Sequence, residues 1–177
     1  GLALCGAVWA GQPEVPPSPP PELSQALPQT RLAGAAKLRV FGFEVYNARL
    51  WVAPGFDQDR FAQHEFALEL QYLRSLKGED IAQRSLQEMQ RVAAPDTAQT
   101  QAWRKALAEL FPDVQRGDRI VGLHTPTGAR FFKNGRNLGE VRDPQFAQHF
   151  FAVWLSPQTS QPRLREQLLA QARAPTQ

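Results

Sequence analysis

Cysteine occurs once in the 177 residues, at Cys5. A lone thiol excludes an intrachain disulfide framework, a cysteine-built zinc site and a Cys-x-x-Cys redox centre. Histidine is almost as scarce. His64, His124 and His149 lie far apart, with no i, i+4 companion, so no metal site is expected. Blocks of like charge are absent. The 20 basic and 17 acidic residues are interspersed and sum to +3, which argues against a nucleic-acid partner. No apolar run reaches the ~20 residues that a membrane-spanning helix needs, so no stable membrane span is expected. The chain has no G-x-G-x-x-G, no P-loop and no internal repeat, and Ser85 has no flanking elbow glycines. No cofactor is expected.

Hydrophobic residues make up 42% of the chain and charged residues 21%, the balance of a single globular domain of this length. Residues 1–10, GLALCGAVWA, carry no charge and resemble the end of a secretory signal, with Val8 and Ala10 as the small-residue cleavage pattern. That reading places the protein in a periplasmic or secreted setting. Residues 11–30 read as a Pro-rich linker, since seven of the 15 prolines fall between Pro13 and Pro28. Residues 31–173 read as the domain.

The domain centres on Leu38–Val52, LRVFGFEVYNARLWV, the densest run of β-branched and aromatic residues. It is apolar on both alternating faces, which predicts a central strand covered on both sides, with Gly42 as a bulge or bend. Arg31–Val40 is a strand leading into it. His64–Arg74 alternates, with Phe66, Leu68, Leu70 and Tyr72 on one face, and reads as another strand. Gly78–Ala93 and Thr97–Phe111 switch to helical spacing. Asp118–Arg142 reads as a three-strand meander, its second turn set by Asn134-Gly135. Asp143 and Pro144 cap and open a third helix, and Pro162–Arg173 forms a last one. About six strands and four helices, with the strands bracketing the helices, predict an α+β fold on a mainly antiparallel sheet.

Several of these stretches together carry a likeness. GFEVYNARLW, FALELQYLRSLKGEDIAQRSLQEMQR, FPDVQRGDRIVG, the hairpin from Gly128 to Gly135 and DPQFAQHFFAVWLSPQTSQPRLREQLL, in this order, resemble the bacterial chalcone isomerase-like family from about Leu32 to Leu169. The resemblance implies an open-faced β-sandwich with helices on one face of the sheet and a ligand cleft between the two layers. In plant members of that fold a cleft arginine precedes the V-Y element. It pairs with a threonine in the enzymes and with a tyrosine in the fatty-acid-binding relatives. Counted back from Val45-Tyr46, the arginine position falls near Leu38, between Lys37 and Arg39. Counted forward, the hydroxyl position falls near Leu50 or Trp51, neither of which carries a hydroxyl.

Five residues are therefore the candidates for ligand contact: Lys37, Arg39, Tyr46, Arg49 and Trp51. Arg39 or Arg49 offers a bidentate guanidinium to a carboxylate, and Trp51 an apolar wall. The polar pair of the enzymes is not intact, which favours an exported, non-catalytic protein that binds a small apolar or amphipathic molecule. One alternative is a chalcone isomerase-type intramolecular lyase. Arg39 would hold its oxyanion and Tyr46 would polarise its ketone. The other is an envelope interaction protein with a filled core and no ligand. The Arg84 and Glu88 pair, at i, i+4, reads as a surface ion pair.

Overall fold

A computed structural model describes residues 17–173. The segment read as a signal end and the first part of the Pro-rich stretch lie outside them. Six strands form one sheet in sequence order, every neighbour antiparallel: β1 (Arg31–Val40), β2 (Phe43–Val52), β3 (Phe66–Tyr72), β4 (Arg119–Thr125), β5 (Gly128–Lys133) and β6 (Arg136–Val141). The helices are α1 (Pro21–Ala26), α2 (Gly78–Val92), α3 (Thr97–Leu110), α4 (Pro144–Leu155) and α5 (Pro162–Leu168). The expected α+β class and antiparallel six-strand sheet are what the structure contains.

One sheet face carries Tyr46, Ala48, Leu50, Val52, Phe66, Leu68, Leu70, Tyr72, Ile120, Ala129 and Phe131, which join a single apolar core with α2 to α5. Helix α4 lies deepest. Phe146, Ala147, Phe150, Phe151, Ala152, Trp154 and Leu155 are all buried, because the sheet covers one side of the helix and α2 another. Its start is fixed as expected: the Asp143 carboxylate accepts from the backbone N–H of Gln145 and Phe146, and Pro144 occupies the first turn. Helices α2 and α3 fill the excursion between β3 and β4, two strands that are direct neighbours in the sheet.

Residue Gly42 marks the expected bend, not a bulge, and divides the stretch into two strands. Phe41 and Gly42 both have positive φ, 49° and 79°, so they form a two-residue reversal and Leu38–Val52 is a hairpin. The bulge falls three residues later. Leu38 pairs with Tyr46 but Arg39 pairs with Glu44, which leaves Val45 as the extra residue on β2. Near the other end of the hairpin, Ala33 is the extra residue on β1, and α5 lies against that strand. A side chain on Gly34 would collide with the backbone carbonyls of Gln167 and Leu168. The close approach of α5 therefore requires glycine there.

The Pro-rich stretch differs from its reading as a spacer. Its second half folds as α1 on the sheet face opposite the other helices. Leu23 and Leu27 are fully buried there against Trp51, Ala67, Val121, Leu123 and Phe132. Glu22 anchors the helix with an ion pair to Arg119 at 2.9 Å. Proline at the first turn suits a helix start, and Leu23 and Leu27 at i, i+4 share one face. Folded structure thus begins before Arg31.

Candidate functional site

The principal neighbours of helix α2 are α3 and α4. Between α2 and the β1–β2 hairpin a space of about 620 Å³ remains. Its floor is the sheet, with Leu38, Val45, Leu68, Leu70, Ile120 and Phe131. Phe150, Phe151 and Trp154 of α4 close its inner side. One stripe of α2 supplies the remaining wall: Asp80, Ile81, Arg84, Ser85 and Glu88. The bulge at Val45 directs both Val45 and Tyr46 into this space, which an unbroken strand does not do with consecutive residues. Small-molecule sites typically enclose ~300–1,000 Å³ with few polar groups among apolar walls, and this cavity has that character.

Polar chemistry is concentrated around Tyr46. Its hydroxyl accepts from Trp154 Nε1 at 3.0 Å, which leaves the phenolic proton free to donate. Burial pushes the phenol up to about 12 and the nearby Glu88 carboxylate adds to this, while the Trp154 bond and Arg84 oppose it. Tyr46 is thus a neutral donor at physiological pH. Tyr72 stands edge-on to it with centroids 6.0 Å apart. Burial raises its phenol as well, and among the described residues its hydroxyl has no hydrogen-bond partner. Arg84 and Glu88 are paired at 2.9 Å; Arg84 is largely exposed and Glu88 largely covered. Ser160 Oγ donates to the other Glu88 oxygen at 2.7 Å. Ser85 Oγ donates to its own helix, at the Ile81 carbonyl, and among the described residues no base accepts from it.

Of the five residues expected to contact ligand, the structure brings only Tyr46 to the cavity. Lys37 and Arg39 lie on the opposite sheet face, where they share Glu44 at 2.9 and 3.1 Å. Arg49 and Trp51 are there too. Glu69 accepts from Trp51 Nε1 at 2.8 Å and pairs with Arg49 at 3.5 Å. The physical reason is strand parity: Tyr46, Ala48 and Leu50 face the helices, so Asn47, Arg49 and Trp51 face away. Trp51 looked like a cleft wall because β2 is apolar on both faces, and its second face is covered by α1. The Arg39 and Tyr46 pair of the lyase reading is consequently split across the sheet.

The groups that sequence reasoning passed over are Arg84, Glu88 and Ser160. Arg84 and Glu88 read as a solvent pair, yet Ile81, Arg84, Ser85 and Glu88 recur at i, i+3, i+4 and i+7. That is one helix stripe, bordering the buried Ala82, Leu86 and Met89. A polar stripe beside a core stripe was the available signal.

The histidines serve packing. His124 stacks flat on Phe66 at 4.6 Å, with Nδ1 hydrogen-bonded to the His64 carbonyl at 2.7 Å, and burial pulls its pKa down. Burial lowers His149 likewise, beside Trp103.

Comparison with known proteins accords with this architecture. The family model described as chalcone isomerase-like matches residues 20–170. The chain belongs to the chalcone isomerase-like family. The match begins at the foot of α1, ten residues or so before the β1 strand, in keeping with the place of that helix in the fold. An uncharacterized protein of Haemophilus influenzae is 26% identical over 132 residues, covering 75% of this chain. This chain spans 64% of that relative's length. Among solved structures, a fatty-acid binding protein of Arabidopsis thaliana superposes with a TM-score of 0.63 at 13% identity, covering 79% of this chain and 86% of that one. At that identity the likeness establishes the shared fold: an antiparallel open sheet with helices, as in other chalcone isomerase-like proteins.

Proposed function

We propose that this chalcone isomerase-like protein is a non-catalytic carrier that holds one amphipathic small molecule between sheet and helices. The observation that supports it best is the cavity of about 620 Å³, walled by aliphatic and aromatic side chains and supplied with a few polar groups around Tyr46. The apolar body of the ligand lies along Leu68, Leu70, Ile120 and Phe131. Its polar end, a carboxylate or carbonyl, accepts from the Tyr46 and Tyr72 hydroxyls and faces Arg84. Two neutral donors and a half-engaged guanidinium suit an acceptor-rich head. The related fold of a fatty-acid binding protein supports the same class of ligand.

Purified protein, stripped of lipid and screened by thermal shift against fatty acids, flavonoids and tetrapyrroles, is expected to gain several degrees with at least one class. Organic extraction and mass spectrometry of the unstripped protein should recover the same class. No shift with any of them overturns the reading. The Arg39 and Tyr46 pair of the lyase alternative does not meet in the cavity, since Arg39 is on the far face. Incubation with naringenin chalcone is expected to leave its absorbance unchanged. Turnover that disappears on Tyr46→Phe would reverse that conclusion. The signal-like residues 1–10 support a periplasmic or secreted site of action, which fractionation of cells expressing the native precursor tests.

A further inference from the structure

Among the described residues, large hydrophobic side chains that are exposed occur in one place only: Val40, Phe41 and Phe43, at the tip of the β1–β2 hairpin, exposed by 40%, 97% and 61%. The turn itself does not call for them. The β5–β6 hairpin of the same molecule makes the same reversal with Asn134-Gly135, at φ 48° and 83°. Asparagine tolerates that region and a bulky aromatic does not, so Phe41 carries a conformational cost that buys no packing. Nothing on the described chain covers its ring.

The tip is also flanked by cations. Lys37 and Arg39 share the single acid Glu44, and the Arg74 guanidinium lies 5.1 Å from the Phe43 ring centroid. Three cations against one acid leave a positive surplus around an apolar point. Two aromatic rings and a valine on a two-residue turn make a small, convex patch. That is far below the ~1,000 Å² or more that a stable protein interface buries. It is enough for shallow insertion into a lipid headgroup layer, where apolar side chains sink among acyl chains and flanking cations meet anionic lipid.

We propose that the β1–β2 hairpin tip docks this protein onto an anionic lipid surface, with Phe41 and Phe43 as the inserting side chains and Lys37, Arg39 and Arg74 as the electrostatic collar. Val40, Phe41 and Phe43 also line the mouth of the cavity. If the carrier reading holds, an amphipathic ligand passes between bilayer and cavity along these residues without crossing open water. The docking itself does not depend on that reading.

The test is co-sedimentation of the full chain with vesicles of phosphatidylglycerol and phosphatidylcholine in equal parts, and with pure phosphatidylcholine vesicles. The wild-type chain is expected to bind the anionic vesicles and to weaken as salt is raised. The Phe41→Asn/Phe43→Ser variant is expected to lose at least tenfold in affinity with an unchanged melting temperature, since both rings are solvent-exposed and asparagine suits the turn. The two chains share the same N-terminal residues, so the difference isolates the tip. A second reporter is Phe41→Trp, whose emission should shift to the blue on anionic vesicles. Equal sedimentation of wild type and double variant, or none by either, overturns the proposal. So does a concentration-dependent dimer abolished by the double variant in the absence of vesicle binding, which assigns the tip to a second copy instead. A wild-type chain that docks on anionic vesicles but binds none of the screened fatty acids, flavonoids or tetrapyrroles would overturn the carrier reading alone.

Discussion

At the scale of single residues, two buried polar groups on opposite sheet faces each accept an indole N–H, but only one of them lines the cavity. Glu69 is covered between Trp51 and Arg49 and accepts the indole proton. Glu69→Ala strands that N–H in a dry layer, which costs about 1–3 kcal/mol. The melting temperature is expected to fall while ligand affinity per folded molecule, read by titration, stays the same. Tyr46→Phe strands the Trp154 N–H in the same way and also removes a donor from the cavity, so it should lower the melting temperature and lose roughly tenfold in affinity for an acceptor-headed ligand. The same phenol sets an alkaline limit. Unfolded, it ionises near 10; folded, burial holds it at about 12. Between those values the native chain keeps a proton that the unfolded chain releases. Stability is therefore intact below pH 10 and falls through the window up to 12, by about 3 kcal/mol from Tyr46 alone. Urea midpoints measured below and above pH 10 should show this decline, and Tyr46→Phe should remove only its own share, because burial raises the Tyr72 phenol too.

At the scale of elements, α1 decides where the folded unit begins. A chain started at Arg31, the boundary that the proline content suggests, lacks Leu23 and Leu27 and bares Trp51, Val121 and Leu123. It is expected to melt well below the full chain and to aggregate, which light scattering during a thermal ramp would show. Leu23→Ala alone should cost about 2–5 kcal/mol, as deletions of buried leucine do. At the far end, Gly34→Ala pushes α5 off β1 and is expected to cost about 2–3 kcal/mol. The elements that were legible in the chain are those whose signal is local. The alternation of Phe66, Leu68, Leu70 and Tyr72, the Asn134-Gly135 turn and the Asp143 cap all appear where expected. Composition hid α1, because proline density masked the i, i+4 leucines. The Val45 bulge was out of reach, because an extra residue exists only relative to the strand it pairs with.

At the scale of the whole molecule, the family and the sheet-and-helix layering were readable, while the cavity wall was not. Tyr46, which lines the cavity, drew attention because it sits in the most apolar stretch. Arg49 and Trp51 fall away from the cavity because β2, covered on both faces, gives no hint of which side holds the cavity, and Lys37 and Arg39 fall on the exposed face of β1. Volume rather than any one contact should govern binding. Ile81→Trp, on the cavity face of α2, is expected to abolish ligand uptake and to leave the unliganded melting temperature within a few degrees of wild type. Calorimetry on both forms checks it. Strands β3 and β4 hydrogen-bond to each other directly, yet residues 73–118 separate them in the chain. The polar wall of the cavity thus rides on a detour that the sheet does not need for its own continuity. On the proposed carrier reading, exchange of that detour would re-aim the cargo preference while every ladder pairing stays in register.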